Sequence, residues 1–274
     1  MERPEISVII PVYRAEVTLP RALASVMASG MPPDQVEVVL ASDDGTDYRE
    51  LAPDGLRVSA TPLGPVRTGP GAARNRALAQ AQGRFYAFLD ADDSWEPGYL
   101  AALLPLARRH GAAFGQTSVL DAGQQILRMP QGADRLRLQD LGHYGGSFHP
   151  LLARAQARPF TSHPSQDVRH AAELLARLGG SAPLAPVAYQ LRLSESSVTA
   201  ETDFSDRVAR AYACHVSEIL AGAGDLPEAM RAPCAEVFRA KARLNTAYGR
   251  EARPGQSFYG FIAERLARAE PARR

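Results

Sequence analysis

Apolar positions come first in short unbroken runs and later at helical spacing. Ile6–Pro11 (ISVIIP) is a continuous apolar run closed by proline. Such a run predicts a strand buried on both faces, as in a parallel sheet. Val36–Leu40 (VEVVL) and Phe85–Leu89 (FYAFL) are further strands, and Arg57–Ala60 is a weaker one. Between them, Leu19, Leu23, Val26 and Met27 recur at helical spacing until Gly30. Ala72–Ala81, closed by Gly83, and Tyr99–Arg109 also read as helices. Strand and helix alternating at this spacing predict a layered α/β fold with a mostly parallel sheet. Ligands of such open sheets bind beyond the carboxyl ends of the strands.

The rhythm becomes irregular from about Ala112. Ala113–Val119, Gln125–Met129 and Pro186–Leu193 read as strands, Gln166–Leu178 as a helix, and Gly142–His149 (GHYGGSFH) as a glycine-rich loop. After Thr202 the pattern is wholly helical, over about Phe204–Ala221, Leu226–Tyr248 and Ser257–Ala269, broken at Gly222–Gly224 and Pro254–Gly255. The expected organisation is an α/β domain over 1–200 and a helical region over 201–274.

Composition narrows the function classes. The formal net charge of +1 makes the whole molecule no electrostatic trap for nucleic acid. Charge is uneven, however: from Arg239 onward nine basic residues face three acidic ones. That tail is either a solvated helix face, the preferred reading, or a peripheral contact with anionic lipid. Lys241 is the only lysine; every other basic residue is arginine. Cys214 and Cys234 form no CxxC pair, which argues against a disulfide framework or a zinc site. The start MERPEISVIIPVY lacks the basic, long apolar form of a signal peptide, and no apolar run approaches the ~20 residues of a membrane span. A cytoplasmic protein, with room for contact at the inner face of a membrane, is expected.

Two polar clusters sit at predicted strand ends and a third at a helix start. Asp90-Ala91-Asp92-Asp93 follows FYAFL directly. One reading is capping, with Asp93 or Ser94 at the start of a helix near Glu96-Pro97. The other is a divalent-cation site, since Mg²⁺ and Mn²⁺ take hard oxygen ligands from one or two carboxylates, substrate phosphates and water. Gly69-Pro70-Gly71-Ala72-Ala73-Arg74-Asn75 lies at a helix start, where glycines allow close approach and Arg74 suits a diphosphate. It matches neither a Walker loop nor GxGxxG. Ser42–Asp47 (SDDGTD) follows the second strand and is either a base- or ribose-binding segment or an ordinary Asp/Gly turn.

Taken together these segments resemble family 2 of the inverting glycosyltransferases, whose fold is called GT-A. Ser7–Glu16 looks like the family's opening strand and nucleotide-binding turn, Val38–Asp47 its uridine-contacting segment, Gly69–Leu78 its GxxxARN helix start, and Phe88–Leu100 its metal motif. Four pieces in the family's order cover about the first hundred residues. More loosely, Phe160–Asp167 (FTSHPSQD) is similar to the segment that carries the catalytic base, with Gln166 where glutamate is usual. Ala188–Thr199 is similar to a strand and loop that close over the diphosphate. Arg14 stands where asparagine is common.

The resemblance implies a GT-A-like mixed, mostly parallel sheet flanked by helices, with a helical C-terminal extension. Residues 1–100 would form the nucleotide-sugar and metal half, and 101–200 the acceptor half. It implies transfer of a sugar from a nucleotide-sugar, UDP-linked by preference, to a saccharide, lipid-linked or other hydroxyl acceptor with inversion. Asp167 would be the general base. Asp90, Asp92 and Asp93 would hold Mn²⁺ or Mg²⁺. Pro11, Tyr13, Glu16, Asp43, Asp44, Arg74, Asp90 and Arg192 would contact the donor. For Asp167 alone, a helix N-terminal aspartate favoured by the dipole is the competing reading. Two other functions compete: a glycosyltransferase-like protein that binds nucleotide and metal without turnover, and, ranked low, a sugar nucleotidyltransferase. No histidine is assigned a role, and Trp95 is either a sugar-stacking ring or core.

Overall fold

The computed structural model describes residues 3–193 and 204–269. Ten strands form one mixed sheet in the order β3-β2-β1-β4-β9-β6-β10-β5, with β7 added to β6 and β8 to β10. They are β1 (Ile6–Val12), β2 (Val36–Ser42), β3 (Arg57–Ala60), β4 (Phe85–Phe88), β5 (Ser94–Trp95), β6 (Ala112–Asp121), β7 (Gln124–Met129), β8 (Arg135–Arg137), β9 (Pro150–Ala153) and β10 (Ser181–Arg192). The helices are α1 (Leu19–Met27), α2 (Pro70–Gln80), α3 (Tyr99–His110), α4 (Leu138–His143), α5 (Gln166–Arg177), α6 (Phe204–Leu220), α7 (Glu228–Glu251) and α8 (Phe258–Ala269).

The parallel run β3-β2-β1-β4 is the part the apolar pattern predicts. β1 and β2 are buried almost throughout because helices cover both faces. Beyond β4 the sheet changes character. β9 enters antiparallel between β4 and β6, and β6 pairs parallel with the distant β10. Four elements were not predicted: the two-residue β5, the three-residue β8, the four-residue β9 and the six-residue α4. Each is too short to show a period, and pairing partners rather than propensity create the strands.

At the N-terminal ends of β1 and β2 a buried polar knot closes the floor. Ser7 Oγ donates to Glu37 Oε1 (2.6 Å) and accepts from Gly83 N (2.7 Å); Gln82 N also donates to Glu37 (2.7 Å). A side chain at Gly83 would meet Ser7 N at 2.5 Å, so glycine is needed for this approach. The opposite, carboxyl ends of the strands stay open for a site.

The C-terminal helices do not keep a core to themselves. Val208, Tyr212, Ile219, Cys234, Phe238 and Tyr259 lie in one apolar cluster with Phe114, Leu152 and Leu174 of the sheet side. The basic tail is largely spent in surface ion pairs: Arg239 and Arg243 with Glu236, Arg253 and Arg268 with Glu264, and Arg265 with Glu251. This is how a solvated helix face behaves. Arg273 and Arg274, and Ser194–Thr199 of the expected closing loop, lie outside the described residues. Among the described residues no helix is long and apolar enough to cross a membrane.

Candidate active site

The acidic turn after β4 does not cap a helix. α3 begins at Tyr99, and its N-cap is Gly98 in the left-handed region, with no side-chain cap. Asp93 turns instead to β10. Tyr189 Oη donates to its Oδ2 (2.7 Å) and Arg192 N to its Oδ1 (2.8 Å). Burial, then the charges of Asp92 and Asp90, push the Asp93 carboxyl well above the ordinary range. Both oxygens are therefore occupied by donors of β10, a role for Asp93 beside the one the resemblance implies. It also explains the third carboxylate in four residues: it ties the turn to a strand 96 residues away.

Asp90 and Asp92 keep accessible carboxylates. Asp92 is pushed up by desolvation and by Asp90. Arg74, buried in α2, forms an ion pair with Asp90. Its Nε and Nη1 have no hydrogen-bond partner. Two neighbouring carboxylates, of which Asp92 is pushed up in part by the charge of Asp90, fit a divalent cation, which relieves their repulsion. Among the described residues no three His, Cys, Asp or Glu side chains gather as a metal-binding group. The pair would thus hold a cation together with further oxygens such as a diphosphate, the usual manner of Mg²⁺ and Mn²⁺.

The turn after β2 is built differently. Asp43 is buried and accepts from Thr68 N (3.0 Å), Thr68 Oγ1 (2.5 Å), Gly69 N (2.8 Å) and Arg76 Nη2 (3.2 Å). Burial raises its pKa, but these donors outweigh it and the net shift is downward. Asp44 accepts from Arg14 N (2.5 Å), Thr46 N (2.9 Å) and Tyr48 Oη (2.7 Å), and it too is shifted down against the effect of burial. Tyr48 also donates to Glu16 (3.2 Å). These bonds close one wall of a cleft of about 550 Å³ lined by Tyr13, Arg14, Glu16, Asp44, Val66 and Arg67 among others. Pro11 sits at the end of β1, level with Ala41 of β2. Tyr13 is 43% exposed, with Arg14 stacked over its ring at 5.3 Å. Arg14 (φ 49) and Arg67 (φ 56) are non-glycine residues in the left-handed region. Such backbone is uncommon and gathers at functional sites.

The GxxxARN segment acts mainly on the protein itself. Gly69 (φ +86) has open space where a Cβ would be. At Gly71 a Cβ would collide with Thr161 O and approach Gln166 Cγ (3.2 Å). Asn75 binds both backbone groups of Phe160: its Nδ2 donates to the carbonyl (2.9 Å), and its Oδ1 accepts from the N–H (2.8 Å). Arg74 lies 5.4 Å from the Phe160 ring centroid. The start of α2 thus docks residues 160–166, and these deliver Asp167 in the first turn of α5, after Ser165 at φ 61.

Docking brings Asp167 beside the acidic turn's own cation. The charges of both Asp90 and Asp167 act on the Arg74 guanidinium and on the His149 imidazole. Burial would raise the Asp167 pKa, but His149, Arg74, the Ser147 hydroxyl and the Val168 N–H hold it below the ordinary value. His149 is buried, stacked on Tyr189 at 4.5 Å, and pushed down by burial. Gln166 is buried with Oε1 unpartnered.

Arg192, at the end of β10, places its Nε 3.3 Å from Ser94 Oγ. Its pKa is lowered by burial and by Arg21. Arg21 of α1 donates to the Asp92 carbonyl (2.8 Å), so two arginines flank the acidic turn. Sequence reasoning missed Arg21, Ser147, His149 and Tyr189. His149 and Ser147 carried only the signal of a glycine-rich loop, and Arg21 that of a cation one turn past the first motif. Trp95 is core, stacked on Tyr99 at 5.0 Å.

Comparisons with known proteins bear on the family and the fold. The chain is 33% identical over 141 residues to the succinoglycan biosynthesis protein ExoO of Rhizobium meliloti, covering 50% of this chain and 40% of that protein. It spans less than half the length of the curated relatives it matches. The fold is similar to residues 1–349 of S. aureus TarS in complex with UDP-GlcNAc (TM-score 0.65, 20% identity, 91% of this chain and 76% of that one). It is also similar to the mannosyltransferase PcManGT from Pyrobaculum calidifontis in complex with GDP-Man and Mn²⁺ (TM-score 0.56, 19% identity, 100% and 76%). The glycosyl transferase family 2 model matches residues 7–148, more than half of the sequence, and the chain belongs to that family.

Proposed function

We propose that this protein transfers a sugar from a nucleotide-sugar donor to a saccharide, lipid-linked or other hydroxyl acceptor, with inversion at the sugar carbon. The observation that carries the reading is the meeting of Asp167 with Arg74, Asp90 and His149. The sequence separates the first and last of these functional aspartates by 77 positions. An ionised carboxylate beside a cation-and-diphosphate site is the arrangement that a single displacement needs.

In this reading Asp167 accepts the acceptor hydroxyl's proton as that oxygen attacks the anomeric carbon. Its lowered pKa keeps it ionised at neutral pH. Asp90 and Asp92 hold a divalent cation, Mn²⁺ or Mg²⁺, which supplies charge stabilisation to the departing diphosphate when bound. Arg21 and Arg192 add positive charge at the same turn. Arg74, expected from sequence to reach the diphosphate, is assigned instead to holding Asp90 and steadying Asp167. Tyr13, Glu16 and Asp44 line the cleft for the base and ribose, beside Pro11. Asp43 acts as the brace of that cleft. The PcManGT complex contains Mn²⁺ with its GDP-Man, and TarS was captured with UDP-GlcNAc. These set the first donors to try, with a UDP-linked sugar preferred.

The test is a Mn²⁺-dependent titration with UDP and GDP, followed by hydrolysis of UDP-GlcNAc and GDP-mannose. Asp92→Asn is expected to lose metal-dependent binding. Asp167→Asn is expected to keep binding and lose about 10²–10⁴-fold in turnover. A parent that binds nucleotide yet hydrolyses and transfers no sugar would favour a binding protein. A parent that binds no nucleotide with either metal would end the reading.

A further inference from the structure

The helical C-terminal region reaches the segments on either side of Asp167. From α6, the Tyr212 hydroxyl hydrogen-bonds the Ser165 side chain and His215 Nε2 lies 2.8 Å from Pro164 O. These residues immediately precede the first turn of α5. From α7, Lys241 Nζ donates to Gly145 O at 2.5 Å. Gly145 opens the loop whose Ser147 hydroxyl donates to Asp167 and whose His149 stacks on Tyr189.

The loop is fitted to these helices by its glycines. A Cβ at Gly142 would lie 2.8 Å from Ala240 Cβ of α7. Gly145 (φ +68) packs against Phe258 and Leu244. A Cβ at Gly146 would collide with Met129 and press on Tyr259. On the sheet side Thr117 Oγ1 donates to Ser147 O (2.8 Å). The loop is therefore held between β6 and α7, and the Lys241 bond ties it to α7 through a polar contact.

Lys241 is an expensive way to make that tie. The residue is 4% exposed, and among the described residues the hydrogen bond of its ammonium goes to a neutral carbonyl. Burial pulls it down to about 8 while Asp167 draws it back up. A buried cation without a hydrogen-bonded anion normally costs stability. In a chain whose 31 lysine and arginine residues are otherwise all arginine, the one lysine is the buried residue of α7 that bonds the Gly145 carbonyl. Packing alone would be served by leucine or methionine at this position, and surface charge by arginine.

We propose that Lys241 is a positioning residue for Asp167: it anchors the Gly145–His149 loop to α7, so that Ser147 and His149 meet the Asp167 carboxylate in the attacking geometry. The proposal rests on Asp167 as the base. It makes the helical region part of the catalytic apparatus rather than an appendage, and it places the effect on turnover rather than on donor binding, because the donor cleft at Tyr13 and Asp44 lies on the β1–β2 side of the sheet.

The test compares the parent with Lys241→Met and Lys241→Arg in the full chain. Three quantities are read: amide hydrogen exchange over 144–149, affinity for UDP with Mn²⁺, and the kcat and donor KM for hydrolysis of UDP-GlcNAc or GDP-mannose. In Lys241→Met, exchange over 144–149 is expected to quicken while UDP affinity stays within about twofold. With it, kcat is expected to fall about ten- to a hundredfold at unchanged donor KM, the scale of a misplaced catalytic group. Lys241→Arg keeps the charge but places a planar, longer group that does not reproduce the single bond to Gly145 O. The same changes at smaller size are expected of it, and it carries the test if the methionine variant does not fold. Unchanged exchange over 144–149 overturns the proposal, and so does quickened exchange with unchanged kcat. A parent that turns over no sugar refutes the base assignment instead, while the exchange measurement still decides the anchor.

Discussion

The turns at Ser42–Asp47 and Asp90–Asp93 look alike in sequence: each follows an apolar strand, each packs aspartates together, and both open on the same end of the sheet. Their carboxylates are in opposite electrostatic states. Asp43 and Asp44 are surrounded by donors from Thr68, Gly69, Arg76, Arg14 and Tyr48, and both are shifted down. Asp92 is shifted up by desolvation and the charge of Asp90, and Asp93 by burial and the charges of Asp92 and Asp90. The first turn satisfies its own charge and braces the cleft. The second ties Asp93 to β10 and pairs Asp90 with Arg74, yet its like charges still push Asp92 and Asp93 up. A count of aspartates cannot separate the two; a count of their donors does.

The comparison can be broken most severely at Asp43. Replacing it by asparagine severs the ion pair with Arg76 and turns one acceptor oxygen into an NH2, which leaves the donors on that side, Thr68 or Gly69, without a partner. It is expected to cost about 3 kcal/mol in urea unfolding. A loss below about 1 kcal/mol would show that the turn does not rest on this carboxylate. The same turn sets an acid limit. Because Asp43 and Asp44 have lower pKa values folded than unfolded, the unfolded chain takes up protons first as pH falls. Their contribution is full above about pH 3.9 and is lost as pH drops through the folded-state values.

A slightly smaller effect belongs to the other turn. UDP with Mn²⁺ at about 100 times its Kd should add about 2.7 kcal/mol of stability to the parent. Asp92→Asn should gain none of it, and Asp43→Asn should keep it if it folds. Equal gains in the parent and Asp92→Asn, read as thermal shifts, would move the cation elsewhere.

The smallest effect sharpens the assignment of Asp93. Its folded pKa is raised, so its ionised form is disfavoured in the fold, and stability is lost as pH climbs from the unfolded value to the folded one. Asp93→Asn removes that burden and retains an acceptor for Tyr189 or Arg192. At pH 7 it should change stability by no more than about 1 kcal/mol, toward stabilisation. A drop of more than about 2 kcal/mol would mean that the charge itself holds β10 in place.

The first hundred residues were readable because their signals are local. Ile6–Pro11, Val36–Leu40 and Phe85–Leu89 are strands by composition alone, and the polar clusters follow them within a few residues. The structure confirmed those strands and the five longest helices close to their expected limits. It changed the reading of single residues. Arg74 went inside to Asp90, Asn75 turned to the backbone of Phe160, and Asp93 bound Tyr189. None of these partners lies within 15 residues in sequence, so no spacing rule points to them.

The sequence by itself determined the strand-and-helix order of the first hundred residues, the places where carboxylates and glycines interrupt it, and the helical character of the end of the chain. These follow from periodicity and turn chemistry, which act over a few residues. Only the tertiary structure decided which carboxylates are satisfied, that β9 and β10 complete the sheet, and that α6, α7 and α8 close around the loops beside Asp167. Charge compensation and burial depend on neighbours brought together from 16 to 99 positions away, as Arg74 with Asp90 and Arg192 with Asp93 illustrate. Their energies are set by distance in space, which the chain order does not record.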